Sequence, residues 1–380
     1  MFCYFLAAAL LLTSLQVVAQ TYVPKYSNEF LSVGVSARGQ AMGGAMTAIS
    51  NDVTSGYWNP AGLSLIPNPR KSELSKGILS SGLHSDLPDS ISNKYQFSLM
   101  HASFFAGVAN YDYAGFATAP DTNSVLAINF IRFGVDDIAD TRFLIVADNI
   151  DYSRIRRFSA SDNALLLSYS RKNIWLRGLN FGGTFKIIYR NAGNFANAWG
   201  FGLDAGLQYR RKRLLLGLMA RDVTSTFNAW SYNTAELSSI FSRTNNSIPS
   251  SSTEITLPKW VLGIGYNIIT TQHIGLLAAL DLNATFDGKR NVPISGSFMS
   301  IDPSLGLEAS YNKVVYARFG INNIQKIKNF DGSEHSVFQP NFGLGLRLAN
   351  RVNIDYALSN LGTTTESVYT NVFSLKADFW

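Results

Sequence analysis

The chain predicts an all-β fold: a 14-stranded antiparallel transmembrane β-barrel with an amino-terminal hatch, or plug, in its lumen. Three observations lead there. Apolar and polar residues alternate with period two in segments of about ten residues, the mark of a barrel wall with one face in lipid. Connections between these segments are by turns short and long. Beyond the first twenty residues no apolar stretch reaches the 18 residues that a membrane helix needs.

The closing segment shows the alternation well. Phe373, Leu375, Ala377 and Phe379 alternate with Ser374, Lys376 and Asp378 before the terminal Trp380. In bacterial outer-membrane barrels a last strand ending in an aromatic also serves as the assembly signal, so Phe373, Leu375, Phe379 and Trp380 are expected to carry it. Trp199, Phe201, Leu203, Ala205, Leu207 and Tyr209 share one face of a second segment, opposite Gly200, Gly202, Asp204, Gly206 and Gln208. Aromatics at segment ends sit where an interfacial girdle belongs.

Fourteen segments follow this rule, near 95–104, 107–118, 122–134, 162–172, 178–190, 196–209, 212–224, 256–267, 272–285, 301–311, 314–325, 337–348, 351–360 and 369–380. An even number suits a closed single-chain barrel. Links after the even-numbered segments are a few residues long. The long ones, near 135–161, 225–255, 286–300 and 326–336, all follow odd-numbered segments, as expected for short periplasmic turns and long extracellular loops. A soluble β-sandwich would expose a continuous apolar surface far larger than a soluble monomer tolerates.

Residues 1–20 read as a secretory signal. Phe2 to Leu15 is apolar and Val17-Val18-Ala19 resembles a small-residue cleavage site, although no Lys or Arg precedes the run. Cys3, the only cysteine, lies in that segment and lacks a lipoprotein context, so the mature chain is expected to have neither disulfides nor thiol catalysis. A mean hydropathy of +0.05 suits a barrel, because polar lumen residues dilute the lipid-facing ones. Aromatic residues make up 13% of the chain and there are 30 glycines, which fits girdles and a crowded interior. The formal charge of +6 is scattered apart from Arg210-Arg211-Lys212-Arg213 and Arg154, Arg156 and Arg157. Neither cluster has interleaved aromatics, so nucleic acid is not an expected partner.

Residues 21–94 do not alternate and are assigned to the hatch; residues 95–380 form the barrel. Small residues dominate Phe30 to Ala45, and glycine and alanine permit close backbone approach inside a lumen. Pro60 holds Asn59 extended, and Gly62 favours a turn. The motif pair Ala37-Arg38-x-x-Ala41-Met42-Gly43-Gly44-Ala45 and Trp58-Asn59-Pro60-Ala61-Gly62-Leu63 resembles that of FadL-type outer-membrane proteins, and is most similar to their PorV/PorQ branch in Bacteroidetes. That resemblance implies a fourteen-stranded barrel with an amino-terminal hatch in the cell outer membrane of a Gram-negative bacterium. It implies one of two roles. PorV-like members accept substrates of type IX protein secretion from the translocon by their sorting domains and pass them to an attachment complex. FadL-like members pass hydrophobic molecules through the hatch and sideways into the membrane.

The leading expectation is the PorV-like role, with FadL-like passive transport as the alternative and a purely structural barrel as a third reading. Long loops carrying Trp230, Tyr232 and Phe241, with Phe143, Leu144, Ile145, Val146 and Ile240, are candidate docking surfaces for secretion partners; loops that merely cap the barrel mouth explain them as well. Lumen positions carry both signs of charge: Lys186, Arg190, Asp204, Asp281, Glu308, Arg318, Arg347, Asp355, Lys376 and Asp378. Buried charges need partners, so pairing across the lumen and with the hatch is expected over a one-signed selectivity ring. No catalytic constellation, cofactor or metal site emerges. His84, His101, His273 and His335 lie far apart, and Gly263-Ile264-Gly265 and Gly343-Leu344-Gly345 lack the helix of a dinucleotide site; lumen glycines that make room for the hatch explain them better.

Overall fold

The structure, a computed structural model, describes residues 27–66, 95–104, 107–146, 149–173, 175–244, 251–328, 332–360 and 369–379. Fourteen antiparallel strands close on themselves. They are β1 (Tyr95–Phe104), β2 (Ala109–Thr118), β3 (Ser124–Asp140), β4 (Arg156–Lys172), β5 (Leu179–Ala192), β6 (Ala196–Arg211), β7 (Leu214–Arg221 and Thr226–Tyr232), β8 (Ser251–Thr256 and Lys259–Thr270), β9 (Ile274–Thr285), β10 (Ser300–Tyr311), β11 (Val315–Lys328), β12 (Glu334–Leu348), β13 (Val352–Asn360) and β14 (Tyr369–Phe379). Each pairs with its neighbour in sequence, and β14 returns to β1 with Tyr95 opposite Phe379 and Ser103 opposite Asn371. Closure removes the free edges that an open sheet would present to lipid.

Two strands are interrupted. The two segments of β7 both pair with β6, and those of β8 pair with the matching segments of β7. Leu257 and Pro258 separate the segments of β8, where proline has no N–H to give the ladder. Opposite them, in the gap between the two segments of β7, Asp222 and Ser225 adopt positive φ.

Burial alternates along the strands. In β1 Gln96, Ser98, Met100, Ala102 and Phe104 face inward, while Tyr95, Phe97 and Leu99 face out and are over a third exposed. The exposed Trp199, Phe201 and Leu203 of β6 and the Leu305 and Leu307 of β10 continue this outer apolar surface. Phe373, Leu375 and Phe379 belong to it as well; Trp380 lies outside the described residues.

Several strands run beyond their expected ends. β3 and β4 occupy much of the expected 135–161 loop, with a bulge between Val135 and Ile138. The expected 225–255 loop is instead the outer segment of β7, helix α3 (Thr234–Thr244) and the start of β8. Trp230 and Tyr232 therefore lie on a strand, and of the three docking candidates only Phe241 is on a loop element, α3. The physical reason is that a strand rising past the lipid meets water on its outer face. Outward positions there, such as Asp136 and Ser231, need not be apolar, and the alternation fades. Ile145–Val146 and Asn149–Ile150 form a small separate hairpin. The signal assigned to 1–20, with Cys3, and hatch residues 67–94, with His84, lie outside the described residues.

Candidate functional site: hatch and lumen wall

Residues 27–66 fill the lumen as a string of single turns. A 3-10 turn (Glu29–Ser32) leads to α1 (Ala37–Ala41), where the Ser36 hydroxyl accepts from the Gly39 N–H at 3.0 Å. After α2 (Ser55–Trp58), Asn59 caps the turn Pro60–Leu65 by accepting from the Ala61 N–H, and Pro60 takes the first position, where no donor is needed. Asn59 also donates to the carbonyls of Thr47 (2.9 Å) and Leu207 (3.0 Å), so one side chain ties two hatch segments to β6.

The spacing of the motif has a packing cause. The Trp58 indole donates to the Val35 carbonyl at 3.1 Å and lies against Gly34, Gly39 and Gly44; a Cβ on Gly39 would come within 2.6 Å of the ring. Gly43 and Gly44 turn the chain at φ 61° and 79°. Ala37, Met42 and Ala61 are wholly buried.

The wall is shaped to receive this segment. A Cβ on Gly320 would lie 2.2 Å from the Gly43 nitrogen, one on Gly182 2.3 Å from the Pro60 carbonyl carbon, and one on Gly206 2.0 Å from Asn59 Oδ1. Gly263, Gly265 and Gly343 likewise face Ala48, Ile49 and Ala41. Gly345 instead makes room for Asp355 and Arg318.

Ionic contacts join hatch and wall on the side of the short turns. Arg38 donates to both oxygens of Glu308, at 2.8 and 3.0 Å, and to Asn51. Glu308 also accepts from Arg318 (2.7 Å), which donates to Asp355 (2.6 Å). Lys376 pairs with Asp52 at 2.8 Å, and Gln96 bridges the Val53 N–H to Asp378. These groups line a polar cavity of about 190 Å³. Burial disfavours the charge on Asp52, but Lys376 and Arg38 outweigh it and hold its carboxyl well below the usual carboxylate range.

Other predicted lumen charges have different surroundings. Lys186 pairs with Asp204 (2.7 Å) and with Asp222 in the break of β7, and Arg190 with Asp162 (2.8 Å) and Glu254 (3.0 Å) while stacking on Trp230 at 5.0 Å. Among the described residues Asp281 makes no salt bridge; it accepts the Met46 and Thr47 N–H groups at 3.0 and 2.9 Å. Arg347 does not meet Asp355, and donates instead to the Asn350 carbonyl at the β12–β13 turn. Sequence reasoning missed Asp52, Gln96, Gln208 and Arg221. Gln208 donates to Thr47 and Ser50 of the hatch, and Arg221 to Leu31 and Tyr57. All but Asp52 sit at inward positions of alternating strands, which was the available signal.

His101 faces outward beside Asp112, His273 meets Asn312 on a turn, and His335 is exposed near the rim. Among the described residues no three His, Cys, Asp or Glu side chains gather as a metal set.

No known family profile and no curated protein matches the chain. Solved structures do. The chain is similar to the Ralstonia pickettii toluene transporter TbuX (TM-score 0.52, 11% identity, covering 91% of this chain and 99% of that one). It is similar to the monoaromatic hydrocarbon channel CymD (0.52, 11%, 91% and 98%) and to the Pseudomonas putida toluene transporter TodX (0.50, 12%, 91% and 96%). At such identities the likeness shows the fold alone: a closed fourteen-stranded antiparallel barrel like theirs.

Proposed function

We propose that the protein is a passive outer-membrane conduit for small hydrophobic molecules, with the hatch as its gate, and that it is not an enzyme. The observation that carries this reading is an apolar cluster where the hatch meets the upper wall. Phe30, Leu31 and Tyr57 of the hatch and Phe104, Tyr111 and Phe133 of β1–β3 belong to one buried cluster with its partly buried rim, the last three with ring centroids 6.1 to 6.4 Å apart. Such a lining suits an apolar solute once Phe30 and Leu31 give way. The similar barrels, two toluene transporters and a monoaromatic hydrocarbon channel, support the same class of permeant. Uptake of radiolabelled toluene by cells expressing the protein is expected to exceed that of control cells, and to fall on Tyr111→Arg. Equal uptake with and without the protein would reject the conduit.

A second reading is the PorV-like role, acceptance of type IX cargo at the outer membrane. It is favoured by the extracellular Phe143, Ile150 and Tyr152, exposed beside the small outer hairpin. In that case deletion abolishes surface display of proteins bearing the sorting domain and leaves hydrocarbon uptake unchanged.

A further inference from the structure

The outer apolar belt is broken on one side of the barrel. Counting six residues in from the short-turn end, the outward positions of other strands carry Leu280, Leu305, Phe342 and Phe373, whereas β1 and β2 carry His101 and Asp112. Six residues of tilted strand rise about 15 Å, so both groups stand about 10 Å inside the outer edge of a belt about 25 Å tall. The polar strip continues in register, His101 opposite Asp112, Asp112 opposite Arg132 and Arg132 opposite Asn163. His101 Nδ1 lies 2.7 Å from Asp112, and Arg132 lies 3.8 Å from Asp112 and 3.6 Å from Asp136. The inward faces of the same strands hold Met100, Ala102, Tyr111 and Ile131 in the buried core, so the strip is not part of the lumen.

Acyl chains solvate such a strip poorly. Anionic headgroups suit it no better, because two carboxylates accompany the one arginine. The strip is, however, its own complement. A twofold axis along the membrane normal, running between β2 and β3, sets Asp112 of each copy against Arg132 of the other at similar depth. We infer that the outer face of β1–β3 is a docking surface for a second copy of this chain in the membrane, paired through Asp112 and Arg132.

The test uses the full-length protein in lipid nanodiscs large enough for two barrels, with Asn110→Cys on the outer face of β2 as the site for a bifunctional maleimide. Cross-linked dimer is expected. Asp112→Arg alone or Arg132→Asp alone should lower its yield about tenfold by setting like charges together, and the combined swap should restore it. Heat-modifiable gel mobility checks that each variant is a closed barrel. Restoration by the swap is not expected if the single variants merely misfold. The inference is overturned if Asn110→Cys stays uncross-linked while lipid-borne quenchers reach a fluorophore there as readily as one at Leu203→Cys, the result expected of a thinned bilayer or bound lipid. It is equally overturned if the site is shielded from lipid yet gives no self-cross-link, which means a different protein covers it.

Discussion

Arg38 grips Glu308 with a two-pronged contact, Nε to Oε2 at 2.8 Å and Nη2 to Oε1 at 3.0 Å, between residues 270 positions apart. Glu308 is shared with Arg318, so the hatch is bolted to a chain of alternating charges that ends at Asp355. Alternation matters because the two inner ions, Glu308 and Arg318, are each compensated on both sides.

Removing the outermost link should loosen the hatch and leave the barrel intact. Arg38→Ala leaves Glu308 still paired with Arg318, so its cost should fall below the about 3–5 kcal/mol of a buried charge left with no partner. Planar-bilayer recordings should show larger and noisier conductance than wild type. Arg38→Lys keeps the charge without the fork and should fall between the two.

Close approach gives a steric test that leaves charge alone. Gly320→Ala places a methyl group 2.2 Å from the Gly43 nitrogen, backbone that has no rotamer to escape through. The cost of such overpacking is about 1–3 kcal/mol. Limited proteolysis should cut within 27–66 faster than in wild type, with strand content by circular dichroism unchanged.

Asn59 is the polar hinge of the hatch. Asn59→Ala removes a helix cap, a loss of about 0.5–2 kcal/mol, and withdraws the donors to the Thr47 and Leu207 carbonyls. Hydrogen exchange should quicken at Ala61 and Gly62 before it does in β6. Uniform exchange across hatch and wall would refute a local role.

The pH response follows from Asp52. Its folded carboxyl ionises below the unfolded value, so the Asp52–Lys376 contact contributes fully above the ordinary range near about 3.9 and is lost only as pH falls through the depressed value. Conductance at about pH 5 should equal that at neutral pH. Asp52→Asn should loosen the hatch at neutral pH already. A wild-type hatch that opens near pH 5 would exclude this pair as the lock.

Sequence alone exposed the wall best where lipid enforces it. Within the belt, an inward Gly206 or Gln208 must alternate with an outward Leu207, and the strand can be read directly. Above the belt the same strands have water outside, which is why the outer part of β7 around Trp230 reads as loop. The hatch motif announced itself through glycines and Trp58, but its fastenings did not. Asp52 looks like any loop acid, and nothing in its neighbourhood points to Lys376, 324 positions away. Lumen charges could be located by face, yet their partners depend on register and tilt. Arg347 thus ends at a turn carbonyl, while Asp355 goes to Arg318.

The fastenings of the hatch also set an order of assembly. Residues 36–59 touch β6, β10 and β14, elements spread over the rest of the polypeptide. The hatch therefore has no complete seat until β14 is present, and loop closure over such separations is slow. Insertion intermediates of this protein should be hollow and leaky, and the seal should form as the concluding event of biogenesis.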